Sequence, residues 1–288
     1  FFFKQKTAYE IKECDWSSDV CSSDLWDGYW FMSLPKGFIS GAVAAGLKSS
    51  GALDLTIIQN IGPRNFGTAT YTTNKVIAAP VIWSKQVTKG RVVSAVILNS
   101  GGANACTGSQ GFSDTHKTAE LVGEKLNISP SEIVVCSTGL IGELLPMTKI
   151  ENGIQSIHLS NDNFEDSARA IMTTDSVPKI SSINRYGVTL SGIAKGAGML
   201  APALATMLSI VMTDAKFDED FAEQIFKETV ERTFNRIDSD GCTSTNDTVL
   251  FMASGASGVT LDNSQLADML EEVCKSLAEQ LIADAEGA

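Results

Sequence analysis

Six short apolar runs, 55–59, 92–98, 132–136, 188–193, 208–213 and 248–253, alternate along this chain with stretches of helical periodicity. The helical stretches are clearest at 114–126, 164–172, 219–234 and 264–285, where apolar side chains recur three and four residues apart, as at Phe221, Ile225, Val230 and Phe234. Sheets and amphipathic helices bury their apolar faces only against other elements. The alternation therefore predicts an α/β fold of stacked layers, with the loops that follow strands carrying the chemistry. No repeat, low-complexity tract or long Pro/Ser linker interrupts the pattern, so the body reads as continuous.

The two ends read differently. Lys4-Gln-Lys-Thr-Ala-Tyr-Glu10 and Asp15-Trp-Ser-Ser-Asp-Val-Cys-Ser-Ser-Asp-Leu25 have the look of a translated sequencing adapter and carry no structural pattern, which makes 1–31 a non-native leader and Met32 the expected native start. The net charge of -12, with no Lys/Arg cluster, argues against a nucleic-acid or anionic-membrane partner. No apolar run reaches the ~18 residues that span a bilayer. Outside the leader, Cys106, Cys136, Cys242 and Cys274 lie far apart without metal-ligand spacing, so inert thiols in a reducing cytoplasm are expected, and no metal.

Three loops are unusually polar or glycine-rich. Asn99-Ser-Gly-Gly-Ala-Asn-Ala-Cys-Thr-Gly-Ser-Gln-Gly111 suits close backbone approach. Ser137-Thr-Gly-Leu-Ile-Gly142 offers backbone amides and the Thr138 hydroxyl to an anion, and 239–248 is almost wholly polar before the strand it opens. Taken singly, each is more often a turn than a site. The segment Lys195-Gly-Ala-Gly-Met-Leu-Ala-Pro-Ala-Leu-Ala-Thr206 delivers a hydroxyl to the start of an apolar run. In mid-chain that threonine has no local base. Cleavage between Ala205 and Thr206 would give it a free α-amine of pKa ~7.7–8.0, a good general base near neutrality. The same stretch also reads as a core strand preceded by a glycine turn. His116 and His158 sit in no nucleophile motif, which argues against a Ser/His/Asp hydrolase, and 192–198 lacks the spacing of a phosphate-binding loop.

Pro35-Lys-Gly-Phe38, Asn99-Ser-Gly-Gly-Ala-Asn-Ala-Cys106, Ser137-Thr-Gly-Leu-Ile-Gly-Glu143-Leu-Leu-Pro-Met147, Met172-Thr-Thr-Asp175, Lys195-Gly-Ala-Gly-Met199, Ala205-Thr-Met-Leu208 and Thr243-Ser-Thr-Asn-Asp-Thr248 occur in this order. Together they resemble the ornithine acetyltransferase family, the glutamate N-acetyltransferases of arginine biosynthesis. The resemblance implies a layered α/β/β/α arrangement with mixed sheets and an autoprocessed enzyme of the N-terminal-nucleophile type. It also implies α and β chains cut from one precursor, assembled as a heterotetramer, that move acetyl from N2-acetylornithine to glutamate.

Carried over by position, the resemblance makes Thr206 the nucleophile and a substrate contact, Ala205 and Thr206 the cleavage site, and Thr138 with Gly139 the oxyanion hole. Thr173 or Thr174, Lys195 and Glu286 resemble the substrate contacts, Glu286 meeting the substrate's amino group. It divides the chain into an α chain at 32–205 and the start of a β chain at 206–288, the family pattern continuing beyond Ala288. No cofactor is implied, although acetyl-CoA serves bifunctional members as a second donor. Gly102 departs from the pattern, which has asparagine there. The competing expectations are a self-processing aminopeptidase of related architecture and a non-catalytic small-molecule-binding protein.

Overall fold

The computed structural model describes residues 33–198, 207–238 and 241–286. Within them, β1 (Phe38–Val43), β2 (Leu55–Asn60), β4 (Ala95–Asn99) and β5 (Ile133–Ser137) form one sheet in the order β1-β2-β4-β5. A second sheet takes β3 (Phe66–Tyr71), β9 (Thr248–Ala253), β8 (Leu208–Thr213), β7 (Val188–Lys195) and β6 (Lys179–Arg185), in the order β3-β9-β8-β7-β6. Both sheets are mixed: β4 runs parallel to β5 and β8 parallel to β9, and the other pairs are antiparallel.

The layer order follows from the period-2 alternation of buried side chains. In the first sheet Val96, Leu98, Val134 and Cys136 face inward, where they meet Ile210, Met212, Leu250 and Met252 of the second sheet. The alternate residues Ala95, Ile97, Ile133 and Val135 face outward onto α2 (Gly108–Leu126) and α3 (Met147–Ser156). The outward set of the second sheet, including Val211, Val249 and Phe251, packs on α5 (Glu219–Arg232) and α6 (Asn263–Ala283). The result is α/β/β/α. Strands buried on both faces read as continuous apolar runs, which is why 208–213 and 248–253 were legible with their observed bounds.

α6 shows how local and global signals agree. Asp262 accepts the Gln265 amide while the Gln265 side chain returns to the Asp262 amide, a capping box that starts the helix. Leu266, Met269, Leu270, Val273, Leu277 and Leu281 then form a fully buried stripe, each worth about 1.5–3 kcal/mol in area removed from water.

Five further elements lack a strong sequence signal. β1 (FISGAV), β3 (FGTATY) and β6 (KISSINR) are rich in Gly, Ser and Thr, and are held by pairing with stronger neighbours. α1 (Ala79–Val87) carries Pro80 in its first turn, where a missing amide hydrogen costs no helical bond. α3 contains Asn152-Gly153, a turn-like dipeptide. A Cβ at Gly153 would come within 2.7 Å of the Ala45 Cβ, so close packing on the β1–β2 connection requires glycine there. α4 (Phe164–Ala170), by contrast, falls within the expected helical stretch 164–172, and its Phe164 and Ala168 pack into the inter-sheet core. The run 92–98 becomes a strand only from Ala95, because the Val93 amide is taken by the Asn65 carbonyl at 2.7 Å. Among the described residues no helix is long and apolar enough to cross a membrane.

Candidate active site

The three polar loops converge. β4 and β5 are parallel neighbours with Asn99 opposite Ser137, so the loops that leave them start side by side. The Ser137 hydroxyl donates to Asn99 Oδ1 at 2.6 Å, and the Thr138 amide to the Asn99 carbonyl at 3.0 Å. Asn246, from the loop before β9, donates through Nδ2 to the Ala103 carbonyl at 2.6 Å and the Ser137 carbonyl at 2.8 Å. One buried amide therefore ties the loops of the first sheet to the second.

Lys195 closes the seam. It ends β7, is buried, and donates from Nζ to Thr138 Oγ1 at 3.1 Å. Because the threonine oxygen accepts from the ammonium, its own hydrogen is left to donate toward the cavity. Burial pushes the Lys195 pKa down to about 8, against the upward pull of Asp175 and Asp247. Gly139 follows at φ +127. A Cβ there would come within 2.5 Å of the Gly101 carbonyl carbon, so only glycine places its amide at this spot.

A cavity of about 720 Å³ opens on this seam, of the size that takes a small metabolite. Thr138, Gly139, Thr173, Thr174, Lys195 and Glu286 all line it, from four separate stretches of chain. Thr173 and Thr174 are exposed at its rim. They are held by Asp175, whose Oδ2 accepts the Thr173 amide at 2.9 Å and whose Oδ1 accepts the Gly196 amide at 2.6 Å. Lys179, fully buried, bridges Asp175 at 2.7 Å and Asp284 at 2.6 Å, fastening the end of α6 to the rim. Burial alone would raise the Asp175 pKa. Lys195, Lys179 and the two amides outweigh it and hold the carboxyl below its ordinary range. Glu286 arrives just past that anchor: its amide donates to the Ala197 carbonyl at 2.7 Å, beside Gly198, which also lines the cavity.

Ala205 and Thr206 lie outside the described residues. The described chain brackets them. It leaves at Gly198 on the cavity wall and resumes at Met207, one residue before Leu208, which pairs with Lys195 across the β7–β8 ladder. The Met207 amide donates to Asp247 Oδ1 at 2.9 Å. Asp247 is fully buried, its Oδ2 meets no hydrogen-bond donor among the described residues, and burial raises its pKa well above the ordinary carboxylate value. Sequence reasoning placed Asp175, Asn246 and Asp247 inside motifs without giving them roles, because Gly196, Ala103 and Met207, the partners that tie them into the site, lie 21, 143 and 40 positions away. It also passed over Lys48, Ser49 and Ser50, which form another wall of the cavity. His116, half exposed beside Glu120, is not among the lining residues.

Two mixed sheets between helix layers, with a hydroxyl-amide pair and a lysine at the strand ends, define an α/β/β/α enzyme of the N-terminal-nucleophile type. The sequence profile of the ArgJ family matches residues 40–288. The chain is 53% identical over 255 residues to the arginine biosynthesis bifunctional protein ArgJ of Streptomyces avermitilis, covering 88% of this chain and 67% of that one. It is 51% identical over 259 residues to the Thermobifida fusca protein of the same name, at 89% and 68% coverage. The chain belongs to the ArgJ family, and is an acetyltransferase of arginine biosynthesis; it spans about two thirds of the length of the curated relatives it matches.

Among solved structures, an ornithine acetyltransferase from Mycobacterium tuberculosis complexed with ornithine superposes with a TM-score of 0.57 at 49% identity, over 60% of this chain and 95% of that one. The arginine biosynthesis bifunctional protein argJ of Bacillus halodurans gives 0.55 at 35% identity, over 60% and 92%. A Burkholderia beta-aminopeptidase, at a TM-score of 0.50 and 11% identity, shares the fold alone.

Proposed function

We propose that the full-length enzyme cuts itself between Ala205 and Thr206 and then moves acetyl from N2-acetylornithine to glutamate through an acetyl ester on Thr206. The α chain is 32–205, the β chain begins at Thr206, and the leader 1–31 takes no part. The Thr206 hydroxyl attacks the acetyl carbonyl as the new α-amine accepts its proton. The oxyanion is met by the Thr138 hydroxyl and the Gly139 amide. The α-amine returns the proton to the departing ornithine nitrogen, and glutamate's amine then attacks the ester by the same steps in reverse. Lys195 holds the substrate α-carboxylate, Glu286 its amino group, and Thr173 or Thr174 a further polar group at the rim.

The observation that carries this reading is the shared cavity: Thr138, Gly139, Lys195 and Glu286 meet on its wall, and both described ends of 199–206 abut the same seam. A second support is the solved M. tuberculosis chain, nearly all of which is matched by 60% of this one, the share that 32–205 makes up of 288 residues. Assembly as a heterotetramer in the cytoplasm, with no resident cofactor, completes the proposal. The word "bifunctional" in the relatives' names supports acetyl-CoA as a second acetyl donor. Isotope-labelled N2-acetylornithine supplied with glutamate to the full-length protein tests it. Label on glutamate is the expected result. Label released as acetate would mean a hydrolase of the aminopeptidase kind, and no turnover a binding protein.

A further inference from the structure

One charged group on the cavity wall is left unused by the acetyl-transfer scheme. Among the described lining residues the ionisable ones are Lys48, Lys195 and Glu286: two ammonium groups and one carboxylate. Glutamate is the mirror of that set, with two carboxylates and one amino group. N2-acetylornithine is not, since it has one carboxylate and a side chain that ends in an ammonium.

Lys48 is a built part of the wall. The fully buried Asp54 accepts the amides of Ala45 at 2.6 Å, Leu47 at 2.6 Å and Lys48 at 3.0 Å, which fixes the turn that carries the lysine. The Asp54 carbonyl in turn accepts the Ser100 amide at 2.9 Å, fastening this turn to the glycine loop that leaves β4. The Lys48 ammonium is half-buried and donates to the Leu53 carbonyl at 2.8 Å, leaving two of its three hydrogens for other acceptors. Burial lowers its pKa although Asp54 and Asp175 pull the other way, so a charge held here is under-compensated by the protein. Its charge is also among those felt at Lys195. Ser49 and Ser50, exposed beside it on the cavity, add hydroxyl donors of the kind a carboxylate accepts from.

We infer that Lys48, supported by Ser49 and Ser50, receives the side-chain carboxylate of the acceptor and so selects glutamate over uncharged amino acids of the same length. The inference rests on the proposed acetyl transfer to glutamate, with the acceptor's α-carboxylate on Lys195 and its α-amine free to attack the acetyl ester on Thr206. It gives the two substrates opposite dependences on one residue. The lysine attracts the carboxylate of glutamate and repels the ammonium of acetylornithine.

The test uses full-length, self-cleaved enzyme and its Lys48→Met and Lys48→Arg variants, with KM measured separately for N2-acetylornithine and for glutamate, and with glutamine as the uncharged acceptor. Lys48→Met should raise the glutamate KM about tenfold or more, the scale of one lost charge-assisted hydrogen bond. It should lower the KM for acetylornithine and abolish the preference for glutamate over glutamine, while Lys48→Arg restores much of that preference. If the parent acetylates glutamate and Lys48→Met keeps the parental preference over glutamine, the assignment of Lys48 is wrong and the acetyltransferase reading stands. A rise in both KM values by the same factor also overturns it, since that marks a residue that only shapes the wall. A parent that never acetylates glutamate overturns the proposed function and this inference with it.

Discussion

Thr138 makes two roles separable in one substitution. Thr138→Ala removes the hydroxyl that faces the cavity and also the hydrogen-bond partner of Lys195 Nζ at 3.1 Å. An oxyanion donor is typically worth ~2.7–4 kcal/mol, a hundredfold or more in kcat. The second loss strands a buried ammonium, already depressed to about 8, without the one hydrogen bond it makes among the described residues. An unsatisfied buried donor costs about 1–3 kcal/mol of stability. The variant should therefore be slower in acetyl transfer and in self-cleavage, both of which pass through a tetrahedral oxyanion, and should melt at lower temperature. Thr138→Ser keeps the hydroxyl and should stay within a few-fold of the parent in all three respects. The assays are steady-state transfer at saturating substrate, a mass time course of chain cleavage and a thermal melt. Parental rates in both chemical steps for Thr138→Ala, whatever its melting temperature, would remove Thr138 from the oxyanion hole.

Lys195→Ala should mainly raise KM, because a point charge on a carboxylate acts in ground and transition states alike; an unchanged KM for acetylornithine would reassign the lysine to self-cleavage. The pH profile carries the same logic. kcat/KM should rise as the Thr206 α-amine loses its proton near pH 7.7–8.0 and fall as Lys195 discharges above about 8, far below an ordinary lysine; a plateau to pH 10 would contradict the burial argument. Lys179→Met leaves Asp175 and Asp284 facing each other without their cation, and should cost about 3 kcal/mol in a denaturant melt at neutral pH. Since the Asp175 pKa is held below 3.8, the stability it contributes is present above that value and is lost as pH falls through the folded pKa. The deficit of Lys179→Met should accordingly narrow on acidification, and a deficit independent of pH would refute the pairing argument.

The layered α/β class was legible because β4, β5, β8 and β9 are apolar on both faces and announce themselves without context. β1, β3 and β6 exist because a neighbour's ladder is there to pair with, a fact no local window contains. The same divide runs through the site. Thr138, Gly139 and Lys195 sit at strand ends in glycine-rich segments, which single-sequence reading flags as loops of interest. Asn246 and Asp247 look like ordinary polar loop residues until the fold sets them against Ser137 and Met207. Lys48 gave no signal at all, since its turn is organised by one buried carboxylate six residues further on.

The central claim is that Thr206 becomes a chain terminus and then carries the acetyl group. Intact-mass analysis of the full-length protein, before and after N2-acetylornithine without acceptor, tests it directly. The account expects two chains split between Ala205 and Thr206, with the β chain heavier by one acetyl group after the donor and restored when glutamate is added. Thr206→Ala should remain one chain that takes no acetyl group. An uncut parent chain that still transfers acetyl, or an acetyl group that forms on any residue other than Thr206, would contradict it.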